Sequence, residues 1–360
     1  MGKSFVIVLG PTGGLWPFIW GAGYEVRQQL EAEGFEFKGC GGDSGGAMAS
    51  ALLATDADPV PFMRKNAKYT KHGAIGGKNP WTWVKNFASF VMHGGAIYAN
   101  NAYRDAIKPS WEPLGVPKYP CYAWAWSLSS ENSAIFPLHT MNEDGWAMGI
   151  TASMALPAAL SPFGWDNQNL LKQAPSVFND LKIPEKNAKD TSYFADGGIS
   201  SYLPVDMILD CPELQQKMTY ENGEWVVDWD TEDIPLTIAI SMDDFQSPKF
   251  NENIKDMNPF KKIIFACMGA LRSSVHEDIA DLKDAGIPGL VLQASPGELS
   301  KYGLRFDVSS EDMEVMFEAG RAAVKESTAY IIRRMFDKQS ATDGDFAHID
   351  LSSLLDKQGD

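Results

Sequence analysis

The chain has 360 residues, with 47 acidic and 31 basic side chains, a net charge of −16 and 44% hydrophobic content. That balance excludes a disordered chain and supplies enough apolar material for a large core. The acidity argues against nucleic acid as a partner and against long-range attraction to anionic lipid, and no run of apolar residues is long enough to span a membrane as a helix.

Phe5–Leu9 is a continuous apolar run suited to a strand buried on both faces. It begins too soon and ends too early for a secretory leader, so the expected setting is the cytoplasm, or that of an effector delivered without a cleaved signal. Gly10–Gly14 interrupts it. Ile19, Ala22, Val26 and Leu30 then recur at helical spacing up to Gly34, a plausible stop. Phe35–Cys40 reads as a second strand, and Ala47–Thr55 has helix-forming composition. This β-α-β-α opening predicts a parallel sheet with helices on its faces.

Residues 59–120 differ, being rich in Trp, Gly and Asn, and read as a mostly helical insertion. Within it Trp83, Phe87, Phe90 and Val91 share one helical face, close to Trp81. Such a stripe either packs into the core or touches a membrane interface peripherally. From Cys121 to Leu128 large and small residues alternate with period two, as in a strand. Further strands are predicted at Tyr193–Ala195, Trp225–Val227, Leu236–Ser241 and Leu290–Gln293. Ser309-x-x-Asp312 is a capping box, opening a long amphipathic helix through Met313, Phe317, Gly320, Val324, Ile331 and Met335. The composition then turns polar, so residues 1–338 are expected to form the domain and 339–360 a mobile tail.

Cys40, Cys121, Cys211 and Cys267 form no C-x-x-C pair and have no histidine at ligand spacing, which predicts free thiols and no metal. The five histidines leave few candidates for a catalytic imidazole. Gly42–Asp43–Ser44–Gly45–Gly46 fits G-x-S-x-G between a strand and a helix. There the nucleophile sits on a strained turn, small neighbours relieve clashes, and the helix dipole favours negative charge at the hydroxyl. A glycine-rich turn that merely packs closely is the alternative. Gly10–Pro11–Thr12–Gly13–Gly14 could bring two or three N–H groups beside Ser44 as an oxyanion hole. The same pattern also opens nucleotide-binding folds, although it matches neither G-x-G-x-x-G nor the P-loop. Asp196–Gly197–Gly198 reads, by itself, as a base or as a surface turn.

Taken together, the glycine-rich loop, G-x-S-x-G, Ala152–Ser153–Met154–Ala155–Leu156–Pro157 and Asp196–Gly197–Gly198 with Leu203–Pro204–Val205 downstream resemble the patatin-like phospholipase family in order and spacing. Phe306–Val324, with Glu318–Ala319–Gly320, is similar to the family's closing helix, so the likeness runs over about residues 4–335. The resemblance implies an α/β fold, a three-layer α/β/α sandwich around a mixed, largely parallel sheet. It implies a cofactor-free lipid acyl hydrolase of phospholipase A type. The implied dyad has Ser44 as nucleophile and Asp196 as base, with Gly13, Gly14 and Gly45 as oxyanion donors and Gly42, Gly46, Gly197 and Gly198 as motif support. Phospholipid or another acyl lipid is the implied substrate. A lysophospholipase, neutral lipase or acyltransferase with the same dyad, or a catalytically impaired binding protein, are the alternatives. Two departures stand out. Gly13–Gly14–Leu15–Trp16–Pro17 lacks the basic residue usual in that loop, and Asp43 precedes the nucleophile. A carboxylate there would oppose an oxyanion, so Asp43 is expected to point away. A Ser-His-Asp triad would have to draw on His276 or His348.

Overall fold

A computed structural model describes residues 4–70, 108–156, 160–187, 189–201, 203–205, 218–221, 224–227, 235–242, 289–302 and 308–339, together with Arg104 and Cys211. The apolar run at the start forms β1 (Ser4–Leu9), every residue of which is buried. After a single 3-10 turn at Gly13–Leu15 the chain enters α1 (Trp16–Ala32), with Pro17 in the first turn where its missing N–H costs nothing. β2 (Glu36–Asp43) leads directly into α2 (Ser44–Ala54) and then α3 (Pro59–Thr70). The predicted strand at Phe35–Cys40 thus runs three residues further. Gly41 and Gly42 weaken a strand in isolation, yet here they are ladder-bonded to β1 on one edge, and on the other to β3 (Cys121–Ser127).

β4 (Asn132–Pro137), α4 (Glu143–Ser153), β5 (Phe163–Asp166), α5 (Asn167–Gln173) and α6 (Pro175–Asp180) follow, then β6 (Thr191–Asp196). β7 (Met218–Glu221) and β8 (Glu224–Val227) make a separate hairpin sheet, so the strand predicted at Trp225–Val227 belongs outside the main sheet. β9 (Leu236–Ser241) and β10 (Gly289–Gln293) complete the strands, and α7 (Ser310–Gln339) is the long helix at the end of the described chain. The N-cap half of its capping box forms: the Asp312 amide donates to Ser309 Oγ at 3.1 Å, while the Asp312 carboxylate accepts from the Ser309 and Tyr302 hydroxyls.

The main sheet has eight strands, ordered β10-β9-β1-β2-β3-β6-β5 with β4 also on β3, and helices cover both sides. Strands from β10 to β3 are parallel; β4, β5 and β6 pair antiparallel. The implied mixed, mostly parallel α/β sandwich is the observed architecture.

One detail of register sets up the site. β4 lines one edge of β3 over Tyr122–Ser127, so β2 and β6 must share the other edge. There Asp43 at the end of β2 lies opposite Trp124, and Asp196 at the end of β6 lies opposite the next residue, Ala125. The two strands run toward each other and stop head to head. Ser44 and Asp196, far apart in sequence, therefore meet.

α7 closes over α1 at van der Waals distance. A methyl on Gly320 would lie 1.9 Å from the Phe18 carbonyl oxygen, and one on Gly21 would lie 2.0 Å from that of Phe317. Two glycines thus let the backbones touch, flanked by a partly buried Arg321–Glu25 ion pair at 2.9 Å. Trp20 packs edge-on against Phe62 of α3 and Phe317 of α7, tying all three helices to one aromatic cluster. No helix among the described residues is long and apolar enough to cross a membrane. Trp81, Trp83, Phe87, Phe90, Val91, Cys267 and residues 340–360 of the predicted tail lie outside the described residues, while Cys40, Cys121 and Cys211 are buried thiols in no disulfide.

Candidate active site

Ser44 is the first residue of α2 and has φ +52°, a left-handed conformation that a non-glycine residue adopts only under constraint. The constraint is visible on both sides of it. A methyl on Gly46 would lie 2.2 Å from the Leu9 carbonyl oxygen, and one on Gly45 would lie 2.2 Å from Thr12 Oγ1 and 3.1 Å from the Gly13 nitrogen. The glycines of G-x-S-x-G therefore allow the end of β1 and the loop after it to press against the helix start. This explains why α2 begins at Ser44 although its first turn is glycine-rich; the sequence placed the helix three residues later.

Two bonds fix the serine and its partner from the same segment. The Ser44 amide donates to Ser153 Oγ at 2.9 Å, and that hydroxyl donates to the Trp124 carbonyl. The Asp196 amide donates to the Ala155 carbonyl at 3.0 Å. The Ala152–Leu156 stretch thus holds nucleophile and carboxylate to one frame. Its motif was visible in the sequence, whereas the clamping role of Ser153 was not, because it depends on a bond between α2 and α4.

Asp196 is 2% exposed, and its Oδ1 accepts from the Gly198 amide at 2.9 Å. Burial raises its carboxyl to about 7; the Ser44 hydroxyl and the Gly198 amide, both favouring the charged form, pull the other way. The hydroxyl is therefore near enough to stabilise the carboxylate, yet Oδ2 has no partner at ordinary hydrogen-bond geometry.

Gly13, with φ +53°, and Gly14 open the 3-10 turn beside Gly45. As first-turn residues their N–H groups have no acceptor within that turn, and the Gly13 nitrogen lies beside Gly45, the residue that follows the serine. In place of a basic anchor, the loop is tied down by buried Leu15 and by Trp16, which packs on Trp20 and Phe62. Gly42 and Gly46 pack against the Leu9 carbonyl, and Gly197 packs on the Trp124 carbonyl. Gly13, Gly42, Gly45 and Gly46 thus lie around Ser44, Gly197 and Gly198 lie beside Asp196, and Gly14 is buried in the same 3-10 turn as Gly13. Thr12, whose buried hydroxyl has no partner, is one the sequence did not single out.

Asp43 departs from expectation. Its carboxyl does not turn away from the site but is wholly buried, with Oδ2 directed at the Gly198 turn that also holds Asp196. Strand alternation fixes its direction whatever its charge. Burial and the neighbouring Asp196 charge hold its carboxyl well above the usual range.

His139 is bonded to the backbone of Cys121, at the other end of β3 from the site. His276 and His348 lie outside the described residues. A cleft of about 420 Å³ lined by Tyr24, Arg27, Leu53 and Asp56 lies at the far end of α2 from Ser44. Its arginine is engaged by the Leu53 carbonyl, Glu31 and Asp56, so the cleft offers no spare cation and is not part of this site.

A family model for patatin-like phospholipases matches residues 12–209, which include Ser44, Asp196, Asp43, Ser153 and the glycines of the site. No curated protein matches the sequence. Among solved structures, VipD from Legionella pneumophila is similar at 10% identity, over 89% of this chain and 68% of that one, with a TM-score of 0.32, too low to carry an argument.

Proposed function

Because this chain belongs to the patatin-like phospholipase family, we propose that it is a lipid acyl hydrolase of phospholipase A type that works through a Ser44–Asp196 dyad. The observation that carries the reading is a buried carboxyl raised to about 7 beside a serine held at φ +52° on a strand-to-helix turn. Ionised Asp196 takes the hydroxyl proton as Ser44 Oγ attacks the ester carbonyl carbon. The negative charge that develops on the carbonyl oxygen is met by the amides of Gly13, Gly14 and Gly45 and by the positive end of α2. Collapse breaks the ester bond, and the leaving alkoxide takes the proton from Asp196. Water then attacks acyl-Ser44 with Asp196 again as base, releasing the fatty acid. A base that ionises near neutral pH is matched to this work. Phospholipid is the proposed substrate, met at a membrane surface without a spanning helix.

The experiment is lipid profiling of mixed phospholipid vesicles digested by wild type, Ser44→Ala and Asp196→Asn, with fluorophosphonate labelling in parallel. Wild type should release fatty acid and label. Both variants should lose turnover by about 10³-fold or more, the two losses not adding, since nucleophile and base act as a unit. Labelled wild-type protein that transfers acyl groups or cleaves only lysolipids would change the substrate class. Absence of labelling would leave a binding protein.

A further inference from the structure

We propose that Asp43 is a positioning residue of this site: it keeps its proton at neutral pH and, facing Asp196 at the Gly197–Gly198 turn, leaves Asp196 as the one charged member of the pair. The inference rests on the dyad reading above. A methyl on Gly198 would lie 2.9 Å from Asp43 Oδ2, 3.1 Å from Asp196 Oδ1 and 3.4 Å from Pro11 Cβ, so both carboxyls close on the same side of that residue. Both oxygens of Asp43 and Oδ2 of Asp196 are buried with no hydrogen bond to another residue. Asp43 occupies the N-cap position of α2, where an aspartate commonly accepts from the helix amides, yet its side chain makes no cap bond. It is turned to the other carboxyl instead.

Among the described residues no charged side chain of positive sign is set against Asp43. Asp196 comes from β6, Trp124 lies opposite Asp43 on β3, Pro11 and Thr12 come from the loop after β1, and Ser153 comes from α4. Among the described residues Asp196 is the charge that acts on Asp43. Two carboxylates in such a dry place do not both ionise, because each charge opposes the other without solvent to screen it. Asp196 accepts from the Gly198 amide and has the Ser44 hydroxyl close by, both of which favour its charged form, whereas Asp43 has only its own amide. The proton therefore stays on Asp43.

The consequence falls on the reaction. At rest the pair holds one proton and one negative charge. When the Ser44 proton moves to Asp196 the pair holds two protons, and the oxyanion is the only negative charge created. When the leaving alkoxide takes that proton, the pair returns to one. The Asp43 proton is never transferred; its presence keeps a second negative charge from standing one residue from the oxyanion.

The test pairs kinetics with infrared spectroscopy. On a soluble short-chain ester, kcat/KM of wild type should rise with pH as Asp196 ionises and fall at higher pH as Asp43 ionises. Asp43→Asn, a neutral isostere, should keep the rising limb and lose the falling one. At neutral pH the carbonyl stretch of un-ionised buried acid should be stronger in wild type than in Asp43→Asn by one full carboxyl, the remainder being Asp196 part-way through its own titration near 7. If Asp43→Asn does not fold, the band in Asp196→Asn decides, since Asp43 is then the remaining acid of the pair. A falling limb that survives in folded Asp43→Asn, a band no stronger in wild type than in Asp43→Asn, or no un-ionised acid band in Asp196→Asn, overturns the proposal. Full turnover in Asp196→Asn would instead sink the dyad reading, and the infrared band would still report on Asp43 because it needs no turnover.

Discussion

Removing the Ser153 hydroxyl isolates what holds the proposed nucleophile in its strained turn. Ser153→Ala deletes the 2.9 Å bond from the Ser44 amide and the bond from Ser153 Oγ to the Trp124 carbonyl. All three residues are buried, so the amide is left without water to replace its partner. An orphaned buried donor costs about 1–3 kcal/mol, and the Trp124 carbonyl loses one acceptor bond, for a sum of about 2–4 kcal/mol. With an unfolding entropy of roughly 2 cal/mol/K per residue, that loss lowers Tm by about 3–5 °C in a chain of 360 residues. The catalytic effect should be larger than the thermal one. The left-handed backbone at Ser44 stores about 1–3 kcal/mol of strain, and with its clamp gone the serine can relax away from Asp196. Displacing a reacting group by about 1 Å can cost about 10²-fold, so kcat on a soluble ester should fall by about 10–100-fold while KM changes little. Thermal melts and steady-state kinetics on the same preparation measure both. Unchanged Tm with kcat within twofold of wild type would refute the idea that this bond holds the nucleophile.

Two further outcomes follow from burial and close approach. A carboxyl raised to about 7 in the folded state binds a proton that the unfolded chain releases near its ordinary value of 3.8. Stability should therefore fall as pH rises from about 4 to about 7, and Asp196→Asn should raise Tm at pH 8 but scarcely at pH 4; an equal effect at both would refute the linkage. Gly320→Ala replaces a poor helix former with the best one, yet its methyl would lie 1.9 Å from the Phe18 carbonyl oxygen. Prying α7 from α1 should cost about 1–3 kcal/mol or more, seen as a lower Tm; a higher Tm would mean the crossing is loose.

Much of this architecture was legible along the chain. β1 and β9 fall within a residue of their apolar runs, and the α7 start is marked by Ser309 and Asp312, because a buried strand, an amphipathic face and a cap are each written over a few neighbouring residues. The nucleophile turn and Asp196–Gly197–Gly198 were legible for the same reason. β4 and β5 were missed: they are short, mix polar with apolar residues, and become strands through the ladders of β3 and β6. No local pattern could say that β2 and β6 stop head to head on one edge of β3. Periodicity records which face of an element is apolar, not which element lies beside it. That adjacency brings Ser44 to Asp196, lends the Ser153 hydroxyl to a strand-to-helix turn, and places the Asp43 carboxyl against a second one in the absence of water. Judged on its own charge, Asp43 should avoid the site. Packed at the end of β2 it has no other direction to take, and burial meets the conflict by keeping the acid neutral.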